Sequence, residues 1–125
     1  MTQTHDPELR SDPAELLQWS TVSSERETAV ALVGEVDLAT EDALNQLLIQ
    51  AMEGPPPRLA VDVAQVSFLD STGIRCFVVA ARKASEMGCE LVVRNPTAAI
   101  SRIFEICGVD GILLEHVDRD AIQSR

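Results

Sequence analysis

Residues 58–88 read RLAVDVAQVSFLDSTGIRCFVVAARKASEMG, and the fold is decided inside them. Residues 58–63 and 66–69 are two short runs of β-forming side chains that approach Asp70-Ser71-Thr72-Gly73. Beyond that turn the period changes. Ile74, Phe77, Val78 and Ala81 fall at i, i+3, i+4 and i+7, the stripe of an amphipathic helix that runs to about Met87 with Gly88 as its stop. A strand handing directly to a helix is half of a crossover unit, and the same alternation recurs on both sides.

Upstream, residues 16–22 and 28–33 are rich in β-formers, and the polar stretch 23–27 between them predicts a hairpin. GEVDLAT, residues 34–40, is a loop whose Asp37 precedes a helix start at Thr40, with Glu41 and Asp42 in the first turn where acids suit the dipole. Ala43, Leu44, Leu47, Leu48 and Ala51 continue that helix until Gly54 and three prolines end it. Downstream, residues 90–93 predict a strand, and Asn95-Pro96 an N-cap and first helical position. Ile100, Ile103, Phe104 and Cys107 form the stripe of a third helix closed by Gly108. Residues 111–116 (GILLEH) are expected as a last short strand and 118–125 as a ragged helix. Residues 1–15 hold two Asp-Pro steps and few apolar side chains, so they are expected as a flexible acidic tail before a domain over 16–117. Strands alternating with helices imply a largely parallel sheet and an α/β class, with a hairpin at the front.

The 125 residues suit one domain, and 46% hydrophobic content is ample for a core. Ten Lys plus Arg against twenty Asp plus Glu give a net charge of −10. Such a chain repels phosphate backbones and anionic lipid, which argues against nucleic-acid and membrane-surface partners. Cys76, Cys89 and Cys107 are odd in number, without a C-x-x-C pair or a nearby histidine, so they read as reduced thiols and not as a metal site. No apolar run approaches the ~20 residues of a membrane span, and no export signal stands at the N-terminus. The expectation is a cytoplasmic protein with no cofactor.

Most catalytic patterns fail. No Gly-rich phosphate loop is present. Ser71 sits between a strand and a helix as a hydrolase nucleophile would, but Leu69 stands where the elbow needs glycine, and a dyad would depend on His116 alone. The Asp70-Ser71-Thr72-Gly73 turn remains. One reading makes Ser71 or Thr72 an N-cap and Gly73 a tight-turn residue. The other notes two hydroxyls beside an acid at a positive helix end, where free backbone N–H groups can meet a phosphate on Ser71.

Three blocks resemble, in order and spacing, the STAS domain of bacterial anti-sigma factor antagonists. They are Gly34-Glu35-Val36-Asp37; Val61-Asp62-Val63 with Val66 through Gly73; and Asn95-Pro96 with Ile103-Phe104 through Cys107-Gly108. The resemblance covers residues 16–117 and implies a mixed sheet of four or five strands with helices packed against it. It also implies a switch and no enzyme. The unphosphorylated antagonist binds an anti-sigma factor that is also a GHKL-type serine kinase, and so frees a sigma factor. The kinase phosphorylates Ser71, with Thr72 as a less favoured acceptor, and a PP2C-type phosphatase resets the system. Asp37 is assigned to the partner-contacting loop, Asp70 to presentation of the acceptor, and Gly73 to the motif around Ser71; Ile74 is expected either at that contact or in the core, and Arg75 either paired with the phosphate, against an acid of the partner, or facing water. Family members commonly continue with Leu-Gly after Gly73, whereas this chain has Ile74-Arg75. A STAS subunit of another signalling or transport complex is the alternative setting.

Overall fold

A computed structural model describes residues 8–115. Five strands form one mixed sheet in simple sequence order: β1 (Arg10–Ser11), β2 (Leu17–Ser23), β3 (Thr28–Val36), β4 (Arg58–Leu69) and β5 (Glu90–Arg94). The first two pairings are antiparallel and the last two parallel. Each parallel pair needs a crossover, supplied by α1 (Glu41–Ala51) between β3 and β4 and by α2 (Ser71–Glu86) between β4 and β5. The helices α3 (Ala98–Ile106) and α4 (Asp110–Leu113) come after β5. The expected mixed sheet is therefore present, with five strands.

Alternation decides which face of the sheet is covered. Thr28, Val30, Leu32 and Val36 of β3 are buried while Ala29, Ala31 and Val33 between them are half-buried. The inward row joins Leu44, Leu47 and Leu48 of α1, Phe77 and Ala84 of α2, and Ile100 and Phe104 of α3 in one core. There the rings of Phe77 and Phe104 stack with centroids 6.2 Å apart. Cys76 and Cys89 are buried in it, and desolvation pushes both thiols above their ordinary range.

Four expectations change. The runs 58–63 and 66–69 are one strand, broken in pattern by two bulges. Between the pairs Ala31↔Asp62 and Val33↔Gln65, and again between Gly34↔Val66 and Glu35↔Phe68, β4 carries one residue more than β3. Each extra residue shifts the inward set by one, from Leu59, Val61 and Val63 to Val66 and then Leu69. The third helix is capped not by Asn95 but by Thr97, whose hydroxyl accepts from the Ile100 N–H at 3.2 Å. Asn95 instead takes a left-handed turn (φ 59°) off β5 and donates to Asp62 at 3.1 Å. Residues 110–113 coil into α4, and only Leu114 bridges to Val93 where a strand was expected. Finally, β1 lies inside the stretch expected as tail. It is followed by Asp12, whose buried carboxylate accepts from the Leu17 N–H at 2.7 Å. His116 and the expected helix 118–125 lie outside the described residues.

On the face away from the helices, Arg94 forks between two glutamates from distant parts of the chain. Its nitrogens lie 2.8 Å from Glu27 and 2.7 Å from Glu115, and Arg58 approaches Glu115 at 3.5 Å. Charge-assisted hydrogen bonds from Arg94 hold both glutamates below the usual carboxylate range. A lowered folded value means that these bonds stabilise fully above the unfolded glutamate value of about 4.3 and are lost as pH falls below it. Arg94→Gln is expected to cost about 1–3 kcal/mol at neutral pH and to flatten the acid limb of the stability curve. Urea denaturation between pH 3 and 7 measures both, and an unchanged acid limb would show that the network contributes nothing.

Candidate functional site

The strands β3 and β4 end side by side, Val36 opposite Leu69, and each delivers an aspartate that caps the helical turn beyond it. Asp37 opens a short 3-10 turn, Leu38–Thr40, by accepting from Ala39 N–H at 3.0 Å and Thr40 N–H at 3.3 Å. Thr40 returns the bond. Its buried hydroxyl accepts from the Asp37 N–H at 3.1 Å and donates to the Glu35 carbonyl at 3.0 Å, which closes a capping box. The helix α1 then starts at Glu41 with no side-chain cap of its own.

Asp70 does the same for α2. Its carboxylate accepts from Thr72 N–H at 2.9 Å and Gly73 N–H at 3.3 Å, while its own N–H donates to the Val36 carbonyl at 3.3 Å. That last bond ties the two caps together. The bulges in β4 lead to it, because without the two extra residues the strand would end out of step with Val36.

Two glycines make the approach possible. Gly34 has φ +117°, and a Cβ there would run into the Leu16 carbonyl. Gly73 lies under the end of β3, where a Cβ would stand 2.5 Å from a methyl of buried Val36. Helix α2 can rest on the strand only because position 73 has no side chain.

The sequence-predicted site residues then divide. Ser71 is exposed as the first residue of α2, and within the described residues its hydroxyl makes no hydrogen bond. Thr72 is half-buried, and Arg75 is exposed one turn on. Gly73 and Ile74 are buried, Ile74 being 5% exposed, so both pack and neither presents a contact surface. The cap is Asp70, neither Ser71 nor Thr72. Of the first-turn amides, the N–H groups of Thr72 and Gly73 are already taken by Asp70, and among the described residues the N–H of Ser71 has no partner.

Sequence reasoning missed two apolar side chains at this end of the sheet. Leu38, directly after Asp37, is 71% exposed and Phe68, two residues before Asp70, is 49% exposed. Neither belongs to a periodic stripe. A large apolar residue outside any stripe, next to a cap, was the available signal. The histidine on which a hydrolase would depend is not among the described residues, and these contain no group of acids, cysteines or histidines arranged to hold a metal.

The geometry sets an order of stability effects. Gly73→Ala should cost about 1–3 kcal/mol by overpacking Val36, and Asp70→Ala about 1–2 kcal/mol through loss of the cap. Ser71→Ala should stay within about 0.5 kcal/mol. Chemical denaturation of the three variants checks this, and a Ser71→Ala cost equal to that of Asp70→Ala would give the hydroxyl a structural role.

The family model described as "Mlab, STAS domain" matches residues 19–115. An anti-sigma-B factor antagonist of Listeria monocytogenes is 33% identical over 86 residues, covering 67% of this chain and 74% of that one. The crystal structure of an anti-sigma factor antagonist from Mycobacterium paratuberculosis superposes with a TM-score of 0.67 at 26% identity, over 92% of this chain and 97% of that one. SpoIIAA shares the fold in both solved forms. The unphosphorylated form is 16% identical (TM-score 0.67; 85% and 94% covered), and the phosphorylated form, from Bacillus, 17% identical (TM-score 0.61; 85% and 97% covered). With the strand order, the two capped turns and these matches together, the chain belongs to the STAS-domain family of anti-sigma factor antagonists, regulatory binding proteins rather than enzymes.

Proposed function

We propose that this protein is a phosphorylation-controlled anti-sigma factor antagonist acting in the cytoplasm. Unphosphorylated, it binds an anti-sigma factor that is also a GHKL-type serine kinase, and so releases a sigma factor. The kinase transfers phosphate to Ser71, binding is lost, and a PP2C-type phosphatase restores the starting state. The observation that supports this most is the state of Ser71: exposed, at the first position of a helix fixed by the Asp70 cap and the Gly73 contact, with a hydroxyl that bonds to none of the described residues.

Asp70 presents the acceptor by holding the first turn, and the Asp37 turn with exposed Leu38 flanks it as partner surface. Thr72 is the poorer acceptor because it is half-buried. A phosphoserine adds about −1.5 to −2 charges at neutral pH. At ~6 Å from a partner carboxylate and an effective dielectric of ~20, one unit charge costs on the order of 2–3 kcal/mol, roughly a hundredfold in affinity. Asp70 already holds the Thr72 and Gly73 amides, and Ser71 is exposed, so its phosphate stays at the surface, where it meets the partner. The other setting, a STAS subunit of a different complex, draws on the name of the matching family model. The relatives named as antagonists and the unused Ser71 hydroxyl favour the switch.

The test is incubation of the full chain with ATP and small GHKL-type kinases of the same cell, with the phosphate located by mass spectrometry. Phosphate is expected on Ser71 and absent from Ser71→Ala, which still binds the kinase. Ser71→Glu should bind at least about tenfold more weakly. Phosphate elsewhere, or none with any kinase, contradicts the reading.

A further inference from the structure

Helix α2 carries a ridge that starts at the acceptor. Ser71, Arg75, Val79, Lys83 and Met87 succeed one another at intervals of four, and all five are exposed. From Val79 onward the ridge borders a valley against α1, floored by buried Met52 and edged by exposed Ile49. Two hollows of about 220 and 260 Å³ lie along it. Ile49 and Val79 are 50% and 46% exposed, so the valley is apolar and uncovered.

The charge along this helix is opposite to that of the chain. Arg75, Arg82 and Lys83 are three of only ten cations in a protein of net charge −10, and the one acid of α2 is Glu86, at its last residue. Among the described residues the ion pairs engage Arg58 and Arg94, and none engages these three. Glu53, at the far end of the valley, is the acid that lines it.

We infer that the α1–α2 valley and the ridge beside it dock an acidic amphipathic helix of the partner. Its apolar row would lie against Ile49 and Val79 and its acids would meet Arg75 and Lys83. The inference rests on the antagonist reading. Its sign comes from the cations of α2, and phosphate at the head of the ridge adds the charge that repels an acidic helix. Phosphoserine at 71 also stands one turn from Arg75, in reach of an i,i+4 pair, so it both repels an acidic helix and takes one of the cations that attract it. From Ser71 to Lys83 the ridge spans about 18 Å, the length of three turns of a docked helix. Arg75, the cation nearest the acceptor, is the residue that couples modification to docking.

The test needs no kinase. The full ¹⁵N-labelled chain is titrated with two stapled peptides of about 18 residues, long enough to hold a helix once stapled. Both have the same leucine row, one with glutamate and the other with lysine at the remaining positions. The glutamate peptide is expected to shift the amides of Ile49, Arg75, Val79 and Lys83. Its affinity should fall at least about fivefold in the Arg75→Glu/Lys83→Glu double variant and in Ser71→Glu, both retaining the wild-type spectrum elsewhere. Equal response to the lysine peptide, or shifts confined to another surface, overturns the inference. So do valley shifts on concentrating the chain alone, which would make a second copy the occupant. Kinase transfer to Ser71 in a chain whose valley ignores the acidic peptide removes the docking site and leaves the antagonist reading standing. Docking of the peptide with no kinase transfer removes the reading.

Discussion

The hydrogen bond from the Asp70 N–H to the Val36 carbonyl is the constraint around which the functional end of this molecule is built. It joins two parallel strands at the point where each turns into a helix, and it needs three conditions at once. Strand β4 must reach Val36 in step, which its two bulges arrange. Helix α2 must lie close to β3, which the bare Cα of Gly73 allows. The exits of both strands must be capped, which Asp37 and Asp70 do with their own carboxylates. Once these hold, Ser71 has one position available: the first residue of a helix, facing water.

This arrangement makes the acidic motif residues structural before they are anything else. One carboxylate oxygen, Oδ1, of Asp37 and of Asp70 accepts two backbone amides each, so both side chains shape the surface that a partner meets. The proposed phosphate on Ser71 adds its charge at the head of the cations along α2. The proposed switch would act by electrostatics at the surface and require no rearrangement of the sheet, whose far face is held by Arg94 between Glu27 and Glu115.

Much of the molecule was legible in its sequence, and the remainder was hidden for physical reasons. The α/β class, the hairpin, the crossover helices and the strand-to-helix turn at Ser71 come from periodicity, because each signal is local. The continuity of β4 was not legible, since a bulge breaks the alternation that identifies a strand, and here it does so twice. The true caps were missed at Thr97 and Asp70 because several neighbouring residues had capping side chains and only the backbone decides among them. Burial of Ile74 beside exposed Ser71 and Arg75 reflects its place in the helical stripe. Exposure of Leu38 and Phe68, by contrast, depends on where irregular backbone points. The Arg94 network joins residues 67 and 21 positions apart in the chain, a distance across which sequence pattern carries no information.

On the proposed function, modification of Ser71 changes a surface and leaves the fold unchanged. The most direct measurement is amide hydrogen exchange on the chain carrying genetically encoded phosphoserine at position 71, compared with the unmodified chain. Thr72 and Gly73 are expected to keep their protection, because Asp70 remains their acceptor, and β3, β4 and α1 to exchange as before. Loss of protection at those two amides, or altered exchange through the β3–β4 pair, would show that the phosphate displaces the Asp70 cap and that the switch is conformational.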